Sequence, residues 1–414
     1  MTRRSWPAVA LLILALWGGA ATSVEGATAP DRGPKLNAKS WVLIDARTGE
    51  PLAGHAVNRH LGMASTTKMM TGYLAIENLP LREKVTAGKY HPDPAESLMG
   101  LQPGQVVSVR DLLYGLFMLS GNDAAVTLAK AVSGTQKRFV KLMNQTANRL
   151  GLDDTHYDNP VGLDGPSHYT SAADLAKLGR IVMGLPRLRK IVGTREATLT
   201  SYRPPLTIET TDSFLRDTPW AQGIKTGHTL GTGYTLASDG RRKATELIGA
   251  VIGTPTEGAR NGETVRLLDW GFSLYDKKVP IRVEKPVAVL PVRYEDEDLP
   301  VRAKRRVRIG VREGESLTVE TDLPGEVEGP IDAGQKLGTA TVRLNGDPLA
   351  TVPLFAGHQV EKPSLVRKLL GNPLWIAVLL VLAVFAILAV LLLVRRRRER
   401  NARKRLQRVL RKRR

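Results

Sequence analysis

The 414-residue chain contains no cysteine. Disulfide bridges, thiolate-bound zinc, iron–sulfur clusters and a thiol nucleophile are therefore excluded, and any exported domain has to be held by core burial alone. Its seven histidines are scattered and no H-E-x-x-H stretch occurs, so metal catalysis has little to stand on. No P-loop or dinucleotide glycine pattern opens a helix after a strand; Gly231-Thr-Gly233 is a lone turn. No serine sits in a Gly-x-Ser-x-Gly elbow, which removes the usual signature of a Ser-His-Asp hydrolase on an α/β sheet. Internal repeats are missing too, and the 39 Gly and 25 Pro follow no fixed period. With 42% hydrophobic residues the chain is nevertheless apolar enough for real cores, so it is neither collagen-like nor disordered throughout.

What is abundant is positive charge, a formal net +20. Such an excess invites a nucleic-acid reading until its position is considered. Residues 395–414 hold 13 Lys/Arg against the single acid Glu399. Directly before them, residues 374–394 form an apolar run without a polar side chain. At 1.5 Å per residue that run spans about 31 Å, the thickness of a bilayer core. A single transmembrane helix at 374–394 with a basic cytoplasmic tail at 395–414 is expected. The tail then meets anionic membrane lipids, and no nucleic acid is needed to account for the charge. At the other end, Arg3 and Arg4 precede an apolar stretch and then small residues. Residues 1–29 thus read as a signal peptide, cut after Ala21 or Ala27. The intervening chain is expected outside the cytoplasm, on the periplasmic or other extracytoplasmic side of the cell membrane.

That length divides into two or three folded units at about 150 residues each. Residues 30–276 mix strand-like and helix-like patterns. Trp41 to Asp45 reads as a strand leading through a turn into a second one; helical periods follow at 66–78, 109–119, 124–133, 136–150 and 172–182. Short alternating strands come around Ile224, at 234–237 and at 246–253, and a last helix at 263–275. Strands at both ends with helices between predict a layered α/β domain whose sheet is completed by late antiparallel hairpins. Residues 280–357 lack a helical period, alternate at Val307, Ile309 and Val311, and carry the hairpin pair Asn345-Gly346. A small all-β domain is expected there, and residues 358–373, with Pro363 and Pro373, read as a linker.

Three short motifs carry chemistry. Ser65-Thr-Thr-Lys68 is the one S-x-x-K in the chain and opens a helical stretch. Residues i and i+3 share a helix face, so the amine can reach the hydroxyl. Serine is a poor nucleophile until a base takes its proton, and a lysine serves once burial or a neighbouring cation makes it partly neutral. Ser120-Gly121-Asn122 lies between two helical segments and can present a hydroxyl and an amide to one cleft. Lys225-Thr226-Gly227 lies on a strand whose alternation sends Lys225 and Gly227 to one face. Lys225 there supplies a second positive charge, and Gly227 lets a backbone approach closely. Each motif alone is ordinary; the three occur in this order, 55 and about 100 residues apart.

In these motifs the chain resembles the low-molecular-weight penicillin-binding proteins, specifically the serine-type D-alanyl-D-alanine carboxypeptidases. The likeness extends to the stretches around Leu43–Glu50, Ala64–Thr71, Leu119–Ala125, Asn159–Asp164 and Gly223–Thr229. It implies an α/β three-layer serine β-lactamase/transpeptidase-like domain, an antiparallel sheet flanked by helices, followed by the small all-β domain and the membrane helix. It also implies peptidoglycan stem peptides as substrate, β-lactam antibiotics as covalent inhibitors, and no cofactor or metal. By the same resemblance Ser65 is the nucleophile, Lys68 its base and Ser120 a proton relay. Asn122, Lys225, Thr226, Gly227 and His228 bind substrate, with His228 also readable as a structural strand residue. Two departures from the family pattern stand out: a full membrane span in place of an amphipathic anchor, and Gly62-Met63 where proline is usual before Ala64-Ser65.

A β-lactamase is the near rival. Class A enzymes deacylate with a glutamate in an E-x-x-x-N pattern. Between Asn122 and Lys225 the glutamates are Glu196 and Glu209, followed four residues on by Thr200 and Ser213. A D,D-endopeptidase cutting peptide crosslinks, and a penicillin- or muropeptide-binding sensor without turnover, stay open at this stage.

Overall fold

A computed structural model describes residues 33–370 and 373–411. The expected signal peptide at 1–29 lies outside the described residues. Two compact units are present, the first ending at Ser273 and the second beginning at Leu274, with the turn Lys243–Thr245 grouped with the second.

In the first unit a five-stranded sheet runs in the order Pro51–His55, Ser40–Asp45, Thr245–Thr254, Gly233–Arg242, Ala221–Thr229. Its registered pairs are antiparallel, with Trp41 opposite Val251 and Lys225 opposite Ala237. Ser40–Asp45 is buried at every position, as strands covered on both faces are. The two covering layers can be located from glycines. A Cβ on Gly271, in helix Glu257–Ser273, would press into Leu43 and Leu247; one on Gly179, in helix Ala172–Gly184, would lie 3.0 Å from Ile224. Helix Lys68–Asn78 is buried from Lys68 through Ala75. Helices Val109–Met118, Asn122–Ser133 and Gln136–Arg149 share its hydrophobic core. Ser108, Thr135 and Ser171 cap their helices by accepting from Asp111 N, Arg138 N and Asp174 N.

The local differences from expectation have physical reasons. Ser65 does not open an α-helix; it lies in a 3-10 turn, Ala64–Thr67, and the α-helix starts at Lys68. The helix expected from 263 begins at Glu257, where Thr256 Oγ1 accepts from Ala259 N and Gly258 and Gly262 hide the apolar period. Two hairpins, Lys84–Thr86 with Val106–Ser108 and Glu196–Leu199 with Leu206–Glu209, are too short to show a period.

The second unit is built on a five-stranded sheet ordered Ala288–Leu290, Leu299–Ala303, Asp347–Ala356, Lys336–Leu344, Leu317–Asp322, beside the strand pair Tyr275–Ile281 and Val307–Arg312. Asn345 and Gly346 turn the hairpin with φ of 52° and 89°, the left-handed pair that Asn-Gly favours. The linker is not wholly irregular, because Leu365–Leu370 is helical. A helix from Pro373 to Arg411 follows, and its apolar window has a mean hydropathy of 3.5 with none of it buried. It continues through the basic tail because arginine, lysine and leucine are good helix formers.

Candidate active site

The 3-10 turn carrying Ser65 is wedged between two glycines. A Cβ on Gly162 (φ +99°) would overlap the Ala64 carbonyl, and one on Gly227 would stand 3.0 Å from Ser65 N and 3.1 Å from Met63 O. The Ser-x-x-Lys turn and the Lys-Thr-Gly strand therefore touch backbone to backbone, a fit that side chains at those positions would prevent. Gly62 is likewise set by packing, since a Cβ there would run into Thr232. Thr67 Oγ1 donates to Ala64 O (2.8 Å) and pairs with His168 Nε2 (2.8 Å). His168 Nδ1 accepts from Asp158 N (2.9 Å), so the ring proton sits on Nε2 and is donated to Thr67. Burial pushes the His168 pKa down to about 4 and keeps the ring neutral.

Lys68 is fully buried at the start of its helix. Its Nζ donates to Ser65 Oγ at 2.9 Å and to the Val161 carbonyl at 2.6 Å. Burial above all, and then the charge of Lys225, hold its pKa well below the ordinary lysine value; Glu96 and Asp123 pull the other way. The Val161 carbonyl is aimed by Asn159, whose Oδ1 accepts from the backbone N of Val161, Gly162 and Leu163 at 3.1, 2.7 and 3.2 Å.

Strand Ala221–Thr229 supplies the third motif. Lys225 is 2% exposed and donates to Thr226 O at 2.9 Å. Burial brings its pKa down to about 8, opposed by Asp212 and reinforced by Arg260. Gly227 faces the Ser65 turn, as strand alternation requires, while His228 is exposed and stacks on Tyr234 at 4.0 Å. Thr226 is half-buried beside it.

The second motif joins helices Val109–Met118 and Asn122–Ser133. Ser120 is buried in the left-handed region at φ +57°, a strained conformation for serine of the kind that collects at functional sites. Asn122 Nδ2 donates to Glu96 Oε2 at 2.6 Å. Asp123 binds the backbone N of Met99, Gly100 and Leu101, each at 2.8 Å, and so pins the segment that carries Glu96. Glu96 and Asp123 both act on the charge of Lys68, which ties this motif electrically to the other two. Sequence reasoning missed Glu96, Tyr90, Asp123, Asn159 and His168 as parts of the site. Asp123 and Asn159 lay inside stretches that carried the resemblance, whereas nothing in the sequence marked Glu96.

Residues 25–256 match the family model for D-alanyl-D-alanine carboxypeptidase. The chain belongs to that family. In keeping with this, residues 275–362 match the C-terminal domain of penicillin-binding protein 5. Relatives include the D-alanyl-D-alanine carboxypeptidase DacF of Bacillus subtilis, 30% identical over 80% of this chain and 87% of its own length. DacC of Escherichia coli is 32% identical over 80% of this chain and 86% of its length. The crystal structure of penicillin binding protein 5 from Haemophilus influenzae is 30% identical with a TM-score of 0.56, covering 80% of this chain and 99% of that one.

Proposed function

We propose that this family member removes the terminal D-alanine from peptidoglycan stem peptides through an acyl-enzyme on Ser65, acting in cell-wall biosynthesis and remodelling. The observation that carries the reading is the buried, proton-poor Lys68 amine 2.9 Å from the half-exposed Ser65 hydroxyl. Lys68 takes the hydroxyl proton as Ser65 attacks the carbonyl of the penultimate D-alanine. The backbone N–H groups of Ser65 and His228 hold the oxyanion. Ser120, assisted by Lys225, passes a proton to the departing amine, and water then releases the acyl group. Asn122 orients the substrate amide; Lys225, Thr226 and His228 hold the terminal carboxylate, with Gly227 leaving room for the peptide. β-Lactams enter the same path and leave slowly, because no E-x-x-x-N glutamate lies between Asn122 and Lys225 to hasten deacylation.

The domain reading goes with it: signal peptide 1–29, catalytic domain 30–276, all-β spacer 280–357, linker 358–373, membrane helix 374–394 and a basic cytoplasmic tail. The bare apolar surface of the last helix supports a single-pass anchor in the cell membrane whose tail meets anionic lipids. Sedimentation with membranes that survives removal of residues 374–414 would count against the anchor. The activity is tested by offering a pentapeptide ending in D-Ala-D-Ala, and separately a crosslinked dimer. D-Alanine released from the pentapeptide by the wild type and not by Ser65→Ala is expected. Consumption of the dimer alone would make the enzyme an endopeptidase, and one-equivalent binding without release would make it a sensor.

A further inference from the structure

Charges of both signs act on Lys68. Lys225, 2% exposed and itself acted on by the buried Arg260 (4% exposed), disfavours its protonation. Glu96 and Asp123 favour it. Asp123 is already saturated: Oδ1 takes the N–H groups of Met99 and Ala124, and Oδ2 those of Gly100 and Leu101. Glu96 is different. Tyr90 OH and Asn122 Nδ2 both donate to its Oε2, and Asp93 N donates to Oε1 at 3.0 Å, so the carboxylate is rigidly held yet only half-buried. Burial pushes its pKa up, but the bonds from Tyr90, Asn122 and Asp93, with the nearby Lys68, outweigh this and keep it ionised. Because Nδ2 of Asn122 is committed to Glu96, its Oδ1 points elsewhere. That oxygen is buried without a hydrogen-bond partner among the described residues, on a side chain only 5% exposed. That oxygen is free to take the N–H of the substrate amide, and the fixed Glu96 carboxylate next to it favours a positively charged donor.

We propose that Glu96, positioned by Tyr90 and Asn122, forms a subsite for a cationic side chain on the residue that precedes the D-alanine pair. The inference rests on the reading of Ser65 to His228 as the D-Ala-D-Ala site. With the terminal carboxylate at Lys225 and the acyl amide at Asn122, an extended peptide continues away from Lys225 at about 3.3 Å per residue. The next side chain upstream is therefore carried towards Glu96. An amine there pairs with the carboxylate; a carboxylate there meets like charge. Peptides with a free amine at that position are preferred over those whose side chain ends in an acid.

The test uses the full-length enzyme and two pentapeptides that differ only in the side chain before D-Ala-D-Ala, one a lysine and one the same lysine succinylated to end in a carboxylate. Released D-alanine gives kcat/KM for each. The wild type is expected to favour the amine by about tenfold, which corresponds to about 1.4 kcal/mol. Glu96→Gln is expected to bring the two values close to parity while still labelling with a fluorescent penicillin, which reports a folded site. In the wild type the preference also shrinks as salt is raised, as screening of a half-exposed charge demands, and this reading does not depend on any variant. An unchanged ratio in Glu96→Gln, or a wild-type preference that is absent or indifferent to salt, overturns the subsite and leaves the carboxypeptidase reading intact. Release from neither peptide overturns both.

Discussion

Lys68 Nζ and the Val161 carbonyl oxygen stand 2.6 Å apart across 93 residues of sequence. A neutral amine has two N–H groups and one lone pair. When one N–H is donated to Val161, the lone pair can be directed at the Ser65 hydroxyl, the orientation a base requires. Val161 in turn owes its direction to the three N–H groups gathered by Asn159 Oδ1. Asn159→Ala removes that acceptor, which costs about 1–3 kcal/mol in stability for the part-buried Val161 and Gly162 donors left behind. Acylation by penicillin is expected to slow about tenfold or more, whereas Asn159→Asp, which keeps an acceptor oxygen, loses less. Equal acylation rates in wild type and Asn159→Ala would show that the Val161 contact does not position the base.

The two lysines set opposite limbs of the pH profile. A lysine whose pKa is lowered becomes neutral at a lower pH. In the proposed mechanism Lys68, held well below the ordinary lysine value mainly by burial, acts in its neutral form, so acylation falls on the acid side as it gains a proton. Lys225, brought down to about 8 by burial, holds the carboxylate in its charged form in the same proposed mechanism, so kcat/KM falls again above about pH 8. A bell-shaped kcat/KM is expected for the peptide. Lys225→Arg, which stays charged, extends the alkaline limb in whatever activity it retains. An alkaline limb that keeps its midpoint in the arginine variant would assign it to another group.

Gly227 is the point where two motifs meet, and its missing side chain is what lets them. A Cβ 3.0 Å from Ser65 N and 3.1 Å from Met63 O faces backbone atoms that cannot swing aside. Gly227→Ala is expected to cost about 1–3 kcal/mol through overpacking. The melting temperature falls by several degrees, since about 1 kcal/mol moves a domain of this size by about 2–4 °C. Acylation suffers more than stability, because displacing the nucleophile by even about 1 Å can lower the rate a hundredfold. Wild-type labelling kinetics in a measurably destabilised variant would break the link between this contact and the chemistry.

The parts legible in the sequence were those repeated along the chain or confined to a short window. Residues 374–394 announce a long apolar helix by length and composition, and Asn345-Gly346 announces a tight hairpin; the backbone forms both. Ser65, Lys68 and Lys225 stood out because the chemistry proposed for them needs few residue types at fixed spacing. Glu96 was not, since a single glutamate in a proline-containing loop reads as solvated, and only folding brings it 2.6 Å from Asn122. The start of the helix at Glu257 was obscured for a related reason, as its first turns are polar and glycine-bearing, and its apolar face is defined by the sheet it covers. The 3-10 turn at Ala64–Thr67 depends on Gly162 and Gly227, both about a hundred residues or more away, so no local propensity could announce it.

His168 links the nucleophile turn to acid stability. Its Nε2–H bonds Thr67 and its Nδ1 accepts from Asp158 N, so the folded protein has no room for a second ring proton without losing a bond. Burial accordingly lowers its pKa to about 4, against about 6.5 in an unfolded chain. Because the unfolded state takes the proton first, the stabilisation is complete above about pH 6.5 and is lost as the pH falls towards 4. At about 1.4 kcal/mol per pH unit the loss amounts to roughly 3 kcal/mol. Replacing the ring with His168→Gln removes the titrating group, while carboxylates elsewhere contribute equally to both proteins. The melting temperature of the wild type is therefore expected to drop more steeply between pH 7 and pH 4.5 than that of the variant, and the rate of Ser65 acylation is expected to decline with it. Parallel melting curves across that range would mean that His168 is protonated in the fold and that Thr67, with the turn it anchors, is held by something else.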